Sequence, residues 1–464
     1  MVLLRHTNPL WRFRIMRRYA LPLLTVFLVL GSLTASAGLS EYVAAPDDSY
    51  KYEITETRDL GASTAYSVRL TSQTWHDIVW QHWLAVIVPK NLSDKDGALL
   101  LISGGDNDST GPKYGSSEFA SLQNAAAGTQ SIVAVLAQVP NQPLFGDMHE
   151  DEIIAYTHEQ YVDGKGDDWS LLFPMVKSAV RAMDTIAAIA KEKNDKTVDR
   201  FVLTGASKRG WTTWLTSAVD KRVAALAPIV IDVLNMEPQM KRQMEIYGGY
   251  SEEVADYTER DLQSRMDSPK GRELLGQVDP YSHRAEITQP KLIVNGTNDP
   301  YWTVDASNLY FDDLTGEKRL YYQANTGHDI NLTGATTITE FYRCALTGDA
   351  FPALHWQQNP DNLNRLVLNW ERDGGTLMLW TATSPNRDFR QSEWSSKIVN
   401  SDKTAEVTVD TPEEGYLAYY AEVRFTGPMA PFGVCSKMTV VPDTIPAEGT
   451  RTYELQKQQA AKAE

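Results

Sequence analysis

Two periodicities divide the chain. Between residues 50 and 90 apolar and polar positions alternate, as in TAYSVRLTSQTW and HWLAVIVPK, which is the pattern of half-buried strands. From ALLLISGG (98–105) onward, short apolar runs alternate with segments of helical period. SIVAVLAQVP (131–140), DRFVLTG, VAALAPIVID (223–232), KLIVNG (291–296) and KRLYYQAN (318–325) read as buried strands. SSEFASLQNAAA (116–127), LLFPMVKSAVRAMDTIAAIAKEK (171–193), RGWTTWLTSAV, DASNLYFDDL (305–314) and TITEFYRCAL (337–346) read as helices. In the longest of these, Val176, Val180, Met183, Ile186, Ala187 and Ala190 recur at helical spacing. Strands alternating with helices predict an α/β fold with a mostly parallel sheet covered on both faces.

Two stretches break the rhythm. Val233 to Gln289 is rich in Met, Glu, Arg and Tyr and reads as helical with breaks, a lid-like insertion whose Met and Tyr side chains would roof a partly apolar pocket. After about Phe351 the helical period disappears, and LNRLVLNWERDGGTLMLWTAT reads as two strands around an Asp373-Gly374-Gly375 turn. The expected organisation is an α/β domain over 38–350 with its insertion at 233–289, a β-sandwich-like domain over 351–445, and a polar tail over 446–464.

Charge and leader sequence narrow the function classes. The formal charge is −16, and without residues 1–37 it is 39 basic against 60 acidic residues, or −21. Such a body repels nucleic acid and anionic membranes, so no nucleic-acid partner is expected. Arg17 and Arg18 precede the apolar run ALPLLTVFLVLGSL, and Ala35-Ser36-Ala37 follows as a small-residue cleavage site. This reads as a signal peptide cleaved after Ala37, leaving a periplasmic or extracellular chain with no membrane span. Cys344 and Cys435 are too few for a disulfide scaffold or a zinc cluster, and no metal or other cofactor is expected.

The chemistry concentrates at three strand ends. Ser207 follows FVLTG, Asp299 follows KLIVNG, and His328 follows KRLYYQAN. The order Ser, Asp, His is that of a hydrolase triad on a parallel sheet, with active groups at the carboxyl ends of strands. Oxyanion donors are expected at the backbone of Lys208 and at the glycine loop around Gly105 and Asp106. The elbow departs from G-x-S-x-G: the second glycine comes one residue late, in G-A-S-K-R-G. Lys208 and Arg209 are then either pointed at substrate or simply a solvated or salt-bridged pair on the first helical turn. Arg209, Trp211 and Tyr301 are candidate substrate contacts. Asp305 and Asp232 are rival acids, and His283 is the rival histidine. Glu150-Asp151-Glu152, with His149 and His158 nearby, reads as a solvated helix start rather than a metal site.

The stretches PMVKSAVRAMDT, VLTGASKRGWTTWLTSAVDKRVAALAPIVIDVLN, YGGYS, PKLIVNGTNDPYWTVDAS, LYYQANTGH and SPNRDFRQSEW resemble the PhoPQ-activated pathogenicity-related proteins, over roughly residues 45 to 440. That resemblance implies an α/β-hydrolase-like domain, export and, in some bacteria, expression under a regulator of envelope stress and cationic-peptide sensing. It implies no defined substrate. The leading expectation is an exported serine hydrolase acting on a small-molecule ester or a peptide through an acyl-enzyme. The alternatives are a non-catalytic secreted binding or signalling protein on the same scaffold, and a peptidase that degrades cationic peptides.

Overall fold

The computed structural model describes residues 38–446, so the expected signal segment and the tail beyond residue 446 lie outside the described residues. Nine strands build the first part of a long sheet. They are β1 (Lys51–Asp59), β2 (Ser63–Trp75), β3 (Ile78–Pro89), β4 (Gly97–Ile102), β5 (Ile132–Leu136), β6 (Arg200–Ala206), β7 (Val223–Ile229), β8 (Lys291–Gly296) and β9 (Lys318–Gln323). Their spatial order is β1-β2-β3-β5-β4-β6-β7-β8-β9. The first three strands and β5 pair antiparallel, and every pairing from β5 to β9 is parallel. All six residues of β8 are buried, as a strand covered on both faces requires.

The main covering helices are α1 (Leu39–Ala44), α2 (Ser117–Thr129), α3 (Glu150–Val162), α4 (Leu172–Asn194) and α5 (Lys208–Val219). Residues 233–289 fold as α6 (Met236–Tyr247), α7 (Ala255–Thr258), α8 (Leu262–Arg265) and α9 (Pro269–Val278), and α10 (Leu332–Thr347) follows β9. The segment DASNLYFDDL, expected as a helix, forms two 3₁₀ turns instead, Ala306–Leu309 and Phe311–Asp313. Its side chains are engaged elsewhere. Asp305 pairs with Arg387 at 3.1 Å, and Asn308 Nδ2 donates to Met438 O at 2.8 Å.

The C-terminal part is β-rich and antiparallel, as its alternation predicts. β10 (Leu354–Asn359), β11 (Asn362–Trp370) and β14 (Thr404–Thr408) form a three-stranded sheet. β12 (Thr376–Ser384), β13 (Ser395–Val399), β15 (Tyr416–Thr426), β16 (Pro431–Cys435) and β17 (Thr439–Val441) form the facing layer. Gln358 Nε2 bridges the layers by donating to Tyr419 Oη at 2.8 Å. The second layer is a continuation of the long sheet, because β16 pairs with β9 at Cys435 and Leu320. The edge strand of the parallel part is thereby covered, which removes an exposed row of backbone donors. Both cysteines are buried free thiols.

Candidate active site

Ser207 sits alone between the last residue of β6 and the first of α5, with φ 58° and ψ −130°. A non-glycine residue rarely adopts that backbone, and the strain turns the side chain out of the sheet at the strand end. Ser207 N–H donates to Ile229 O at 2.9 Å, and Trp211 N–H donates to Ser207 O at 3.0 Å. Close packing of helix on strand is made by Gly205 and Gly210. A Cβ on Gly205 would stand 2.7 Å from Arg209 O, and one on Gly210 would stand 2.7 Å from Ile231 Cγ2 and 2.9 Å from Gly205 O. The late second glycine is thus the residue that lies on the sheet, and the position where a glycine is usual holds Arg209.

Asp299 and His328 come together from the turns after β8 and β9. His328 Nδ1 lies 2.8 Å from Asp299 Oδ2, and Asp299 Oδ1 accepts Tyr301 N–H at 2.9 Å. His328 Nε2 has no hydrogen-bond partner among the described residues. It lines the same cavity as Ser207, without a hydrogen bond between the two side chains. The Tyr301 ring packs against the imidazole, centroids 4.2 Å apart. The rivals are occupied elsewhere: Asp305 by Arg387, Asp232 by Tyr310 and Asn295, and His283 Nε2 by Gln277 O at 3.0 Å.

Both turns are held by distant chain. Asn298 Nδ2 reaches the carbonyls of Phe389, Arg390 and Ser392, at 3.3, 3.1 and 2.7 Å. Asn325 Nδ2 donates to Trp394 O at 2.9 Å, and Trp394 N–H donates back to Asn325 Oδ1 at 2.7 Å. Arg390 of the same segment pairs with Glu252 at 3.1 Å and lies over the Tyr247 ring, which ties the insertion to these turns.

The basic pair behind the serine is also held from a distance. Arg209 grips Glu150 with two nitrogens, at 2.7 and 2.6 Å. Lys208 Nζ lies 2.8 Å from Glu150 and 3.0 Å from Asp151. Burial alone would raise the Glu150 carboxyl, but Arg209 and then Lys208 outweigh it and hold it at about 2. Of the two readings of the basic pair, Arg209 follows the salt-bridged one: it is not among the residues that line the cavity. Glu150 differs from the solvated helix start expected of it, since two cations from α5 draw its carboxylate inward. Tyr257 Oη donates to Asp151 Oδ1 at 2.9 Å.

Lys208, Trp211 and Tyr301 line the cavity, with Asp151 and His158. Burial drives the His158 imidazole down to about 3, so it is neutral at physiological pH. Gly105 and Asp106 do not line it. The Arg209 guanidinium lies over that loop, where a Cβ on Gly104 would meet it at 2.4 Å, and Asp106 O accepts from Gln138 Nε2 at 2.9 Å. Asn298 and Asn325 escaped the sequence reading because the carbonyls their amides reach lie 69 or more residues away, and the Glu150 pairing with Arg209 did so because the two lie 59 residues apart. The methionine and tyrosine content of the insertion was visible, but content alone does not separate a cavity wall from a core.

Strand order, the strained serine turn after β6, and the acid and histidine turns after β8 and β9 define a protein of the α/β-hydrolase fold with a β-sandwich-like C-terminal part. The chain belongs to the PhoPQ-activated pathogenicity-related protein family, whose model matches residues 39–390. It is 29% identical over 478 residues to the autocrine proliferation repressor protein A of Dictyostelium discoideum, covering 92% of this chain and 96% of that one. An acetyl xylan esterase from Paenibacillus sp. R4 shares 14% identity over 65% of this chain and 90% of its own, with a TM-score of 0.48. Acetyl xylan esterase 1 from Thermoanaerobacterium sp. JW/SL YS485 shares 16% over 66% and 93%, with a TM-score of 0.45. Among the described residues no helix is long and apolar enough to cross a membrane.

Proposed function

We propose that the protein is a serine hydrolase that cleaves an ester or amide through an acyl-enzyme on Ser207. The observation that carries this is the Asp299–His328 pair, 2.8 Å apart, with an unpartnered Nε2 on the cavity that Ser207 also lines. Ser207 Oγ attacks the carbonyl carbon while Nε2 takes its proton, and Asp299 holds the tautomer and stabilises the imidazolium. The oxyanion forms against the Lys208 N–H, which as the first residue of α5 has no partner inside its helix. The proton on Nε2 passes to the departing alcohol or amine. Water then repeats the sequence on the acyl-enzyme and frees Ser207. The leader read from the sequence makes this an exported enzyme, and the family's regulation links it to envelope stress or cationic-peptide resistance.

A second reading is a secreted signalling or binding protein on a hydrolase scaffold, and the name of the Dictyostelium relative favours it. Labelling with a fluorophosphonate, read by intact mass, separates the two. The serine reading expects one adduct on Ser207, none on Ser207→Ala, and at least a ~1,000-fold slower reaction with His328→Ala. A folded chain that takes no adduct sinks it and leaves the binding reading.

A further inference from the structure

The cavity shared by Ser207 and His328 is walled largely by the insertion, and α6 presents an unusual face to it. Met236, Met240 and Met244 recur at every fourth position and line the cavity as one stripe. Another face of α6 is fastened to the body by polar groups. Gln239 Nε2 donates to Ala306 O at 3.0 Å, Gln243 Nε2 to Tyr301 O at 2.9 Å, and Tyr247 Oη to Trp302 O at 3.0 Å. An ordinary surface helix buries its apolar stripe in the core. Here the glutamines are buried and satisfied, and the methionines are left to the cavity.

The opposing walls are also apolar. Trp211 and Ile231 come from the strand-end side, and Val233, Leu262, Met266 and Val278 from the rest of the insertion. At the outer end the lining turns exposed and charged with mixed sign, in Glu237, Lys241, Asp267 and Arg272. The cavity volume is about 300 Å³. At roughly 30 Å³ for a group the size of water or a methylene, that is about ten such groups.

We propose that this cavity holds the acyl chain of the substrate, a straight aliphatic acyl group of medium length, of about six to ten carbons at the packing estimate above. The inference rests on Ser207 being the nucleophile. An acetyl group would leave most of the apolar wall facing water, whereas each buried methylene strengthens binding. Unbranched thioether side chains adapt to a flexible chain more readily than branched ones. The charged rim ends the gain, because methylenes beyond it return to water.

The test is a series of alkyl fluorophosphonates with ethyl, butyl, octyl and dodecyl chains. In each, Ser207 Oγ bonds to phosphorus, fluoride leaves, and the serine proton passes to His328. The labelling rate is expected to rise about two- to fourfold per methylene and to level off near ten carbons. Met240→Glu should slow the octyl probe at least ~10-fold more than it slows the ethyl probe. Met244→Glu, at the partly exposed end of the stripe, is the variant that folds if Met240→Glu does not, and it should slow the dodecyl probe most. Equal rates across the series, or a variant that slows every probe alike, overturns the acyl-chain assignment and leaves the hydrolase reading intact. No adduct from any probe overturns both.

Discussion

On the serine side, Lys208 and Arg209 reach across to Glu150 and Asp151, and the contact is made of charges, of which Lys208, Arg209 and Asp151 are largely shielded from water and Glu150 is partly exposed. On the acid and histidine side, Asn298 and Asn325 reach the 389–394 segment through neutral amides and backbone carbonyls. Both pins hold a strand-end turn by means of distant chain. They differ in how they fail. The charge pin that loses Arg209 gives up its charge-assisted bonds to Glu150 and Val139 together and leaves the carboxylate with Lys208 as its remaining cation. Amide hydrogen bonds contribute about 0.5–1.5 kcal/mol each and are lost one at a time. The two sides also differ in titration, since Glu150 is held at about 2 and the asparagines do not titrate.

Between the two turns, just beyond β7, lies Asp232, and it gives the largest expected effect. Burial, opposed by hydrogen bonds from Tyr310 and Asn295 and reinforced by the Asp299 charge, pushes its carboxyl up to about 7. A raised acid pKa means that the folded state holds the proton over a window where the unfolded chain releases it. Stability from this group is therefore full below pH ~4 and is lost as pH rises through about 7. Asp232→Asn should gain on the natural protein between pH 4 and 7, by up to ~4 kcal/mol in urea unfolding. The buried His82 and His158, driven down to about 4 and about 3, cancel in that difference. A flat difference would mean that Asp232 does not carry this titration.

Arg209→Met removes the charge and keeps most of the volume. It should lower the unfolding free energy by about 3 kcal/mol, and Glu150→Gln in the same chain should restore at least ~1 kcal/mol, as a double-mutant cycle measures. Arg209→Gly, which restores the usual elbow spacing, should be no more stable than Arg209→Met. Additive single losses would show that the two sides fail alike. On the amide side, Asn298→Ala should cost about 2 kcal/mol for the three carbonyls it leaves. On the proposed hydrolase reading its ester kcat should fall ~10- to 100-fold with KM within about twofold, because Asp299 follows it directly and misplacement would act on the chemistry. A larger loss of stability than in Arg209→Met would invert the comparison.

The same contrast separates what the chain discloses from what it conceals. The serine turn was legible because its parts are neighbours: an apolar run, two glycines, and a helix whose first turn carries Lys208 and Arg209. Strand ends placed Asp299 and His328 together for a similar reason, each following a short buried run. The pins were not legible. Nothing near Asn298 marks residues 389–392 as its acceptors, and Glu150 looks like an ordinary acidic helix start until α5 is brought against it. Local periodicity likewise read 305–314 as a helix, where Asp305 and Asn308 are drawn to Arg387 and Met438 instead. The glycine loop misled in the opposite direction. Gly105 has the left-handed φ of 121° that suits a turn, yet the Arg209 side chain lies against that loop.

Asn325 carries the smallest expected effect and separates two causes that the comparison otherwise merges. Its φ of 56° is left-handed, which asparagine tolerates better than alanine does. Its amide also exchanges two hydrogen bonds with Trp394. Asn325→Ala loses both the backbone tolerance and the bonds, whereas Asn325→Gly keeps the backbone and loses only the bonds. The alanine variant should be less stable by about 1–2 kcal/mol, and the glycine variant should recover about half of that, measured by urea unfolding. If glycine recovers everything, the asparagine serves only its own turn and the 389–394 segment holds the acid side alone. If glycine recovers nothing, the bonds to Trp394 carry the effect, and the ester kcat of both variants should fall together with KM unchanged, because His328 stands three residues further along the same turn.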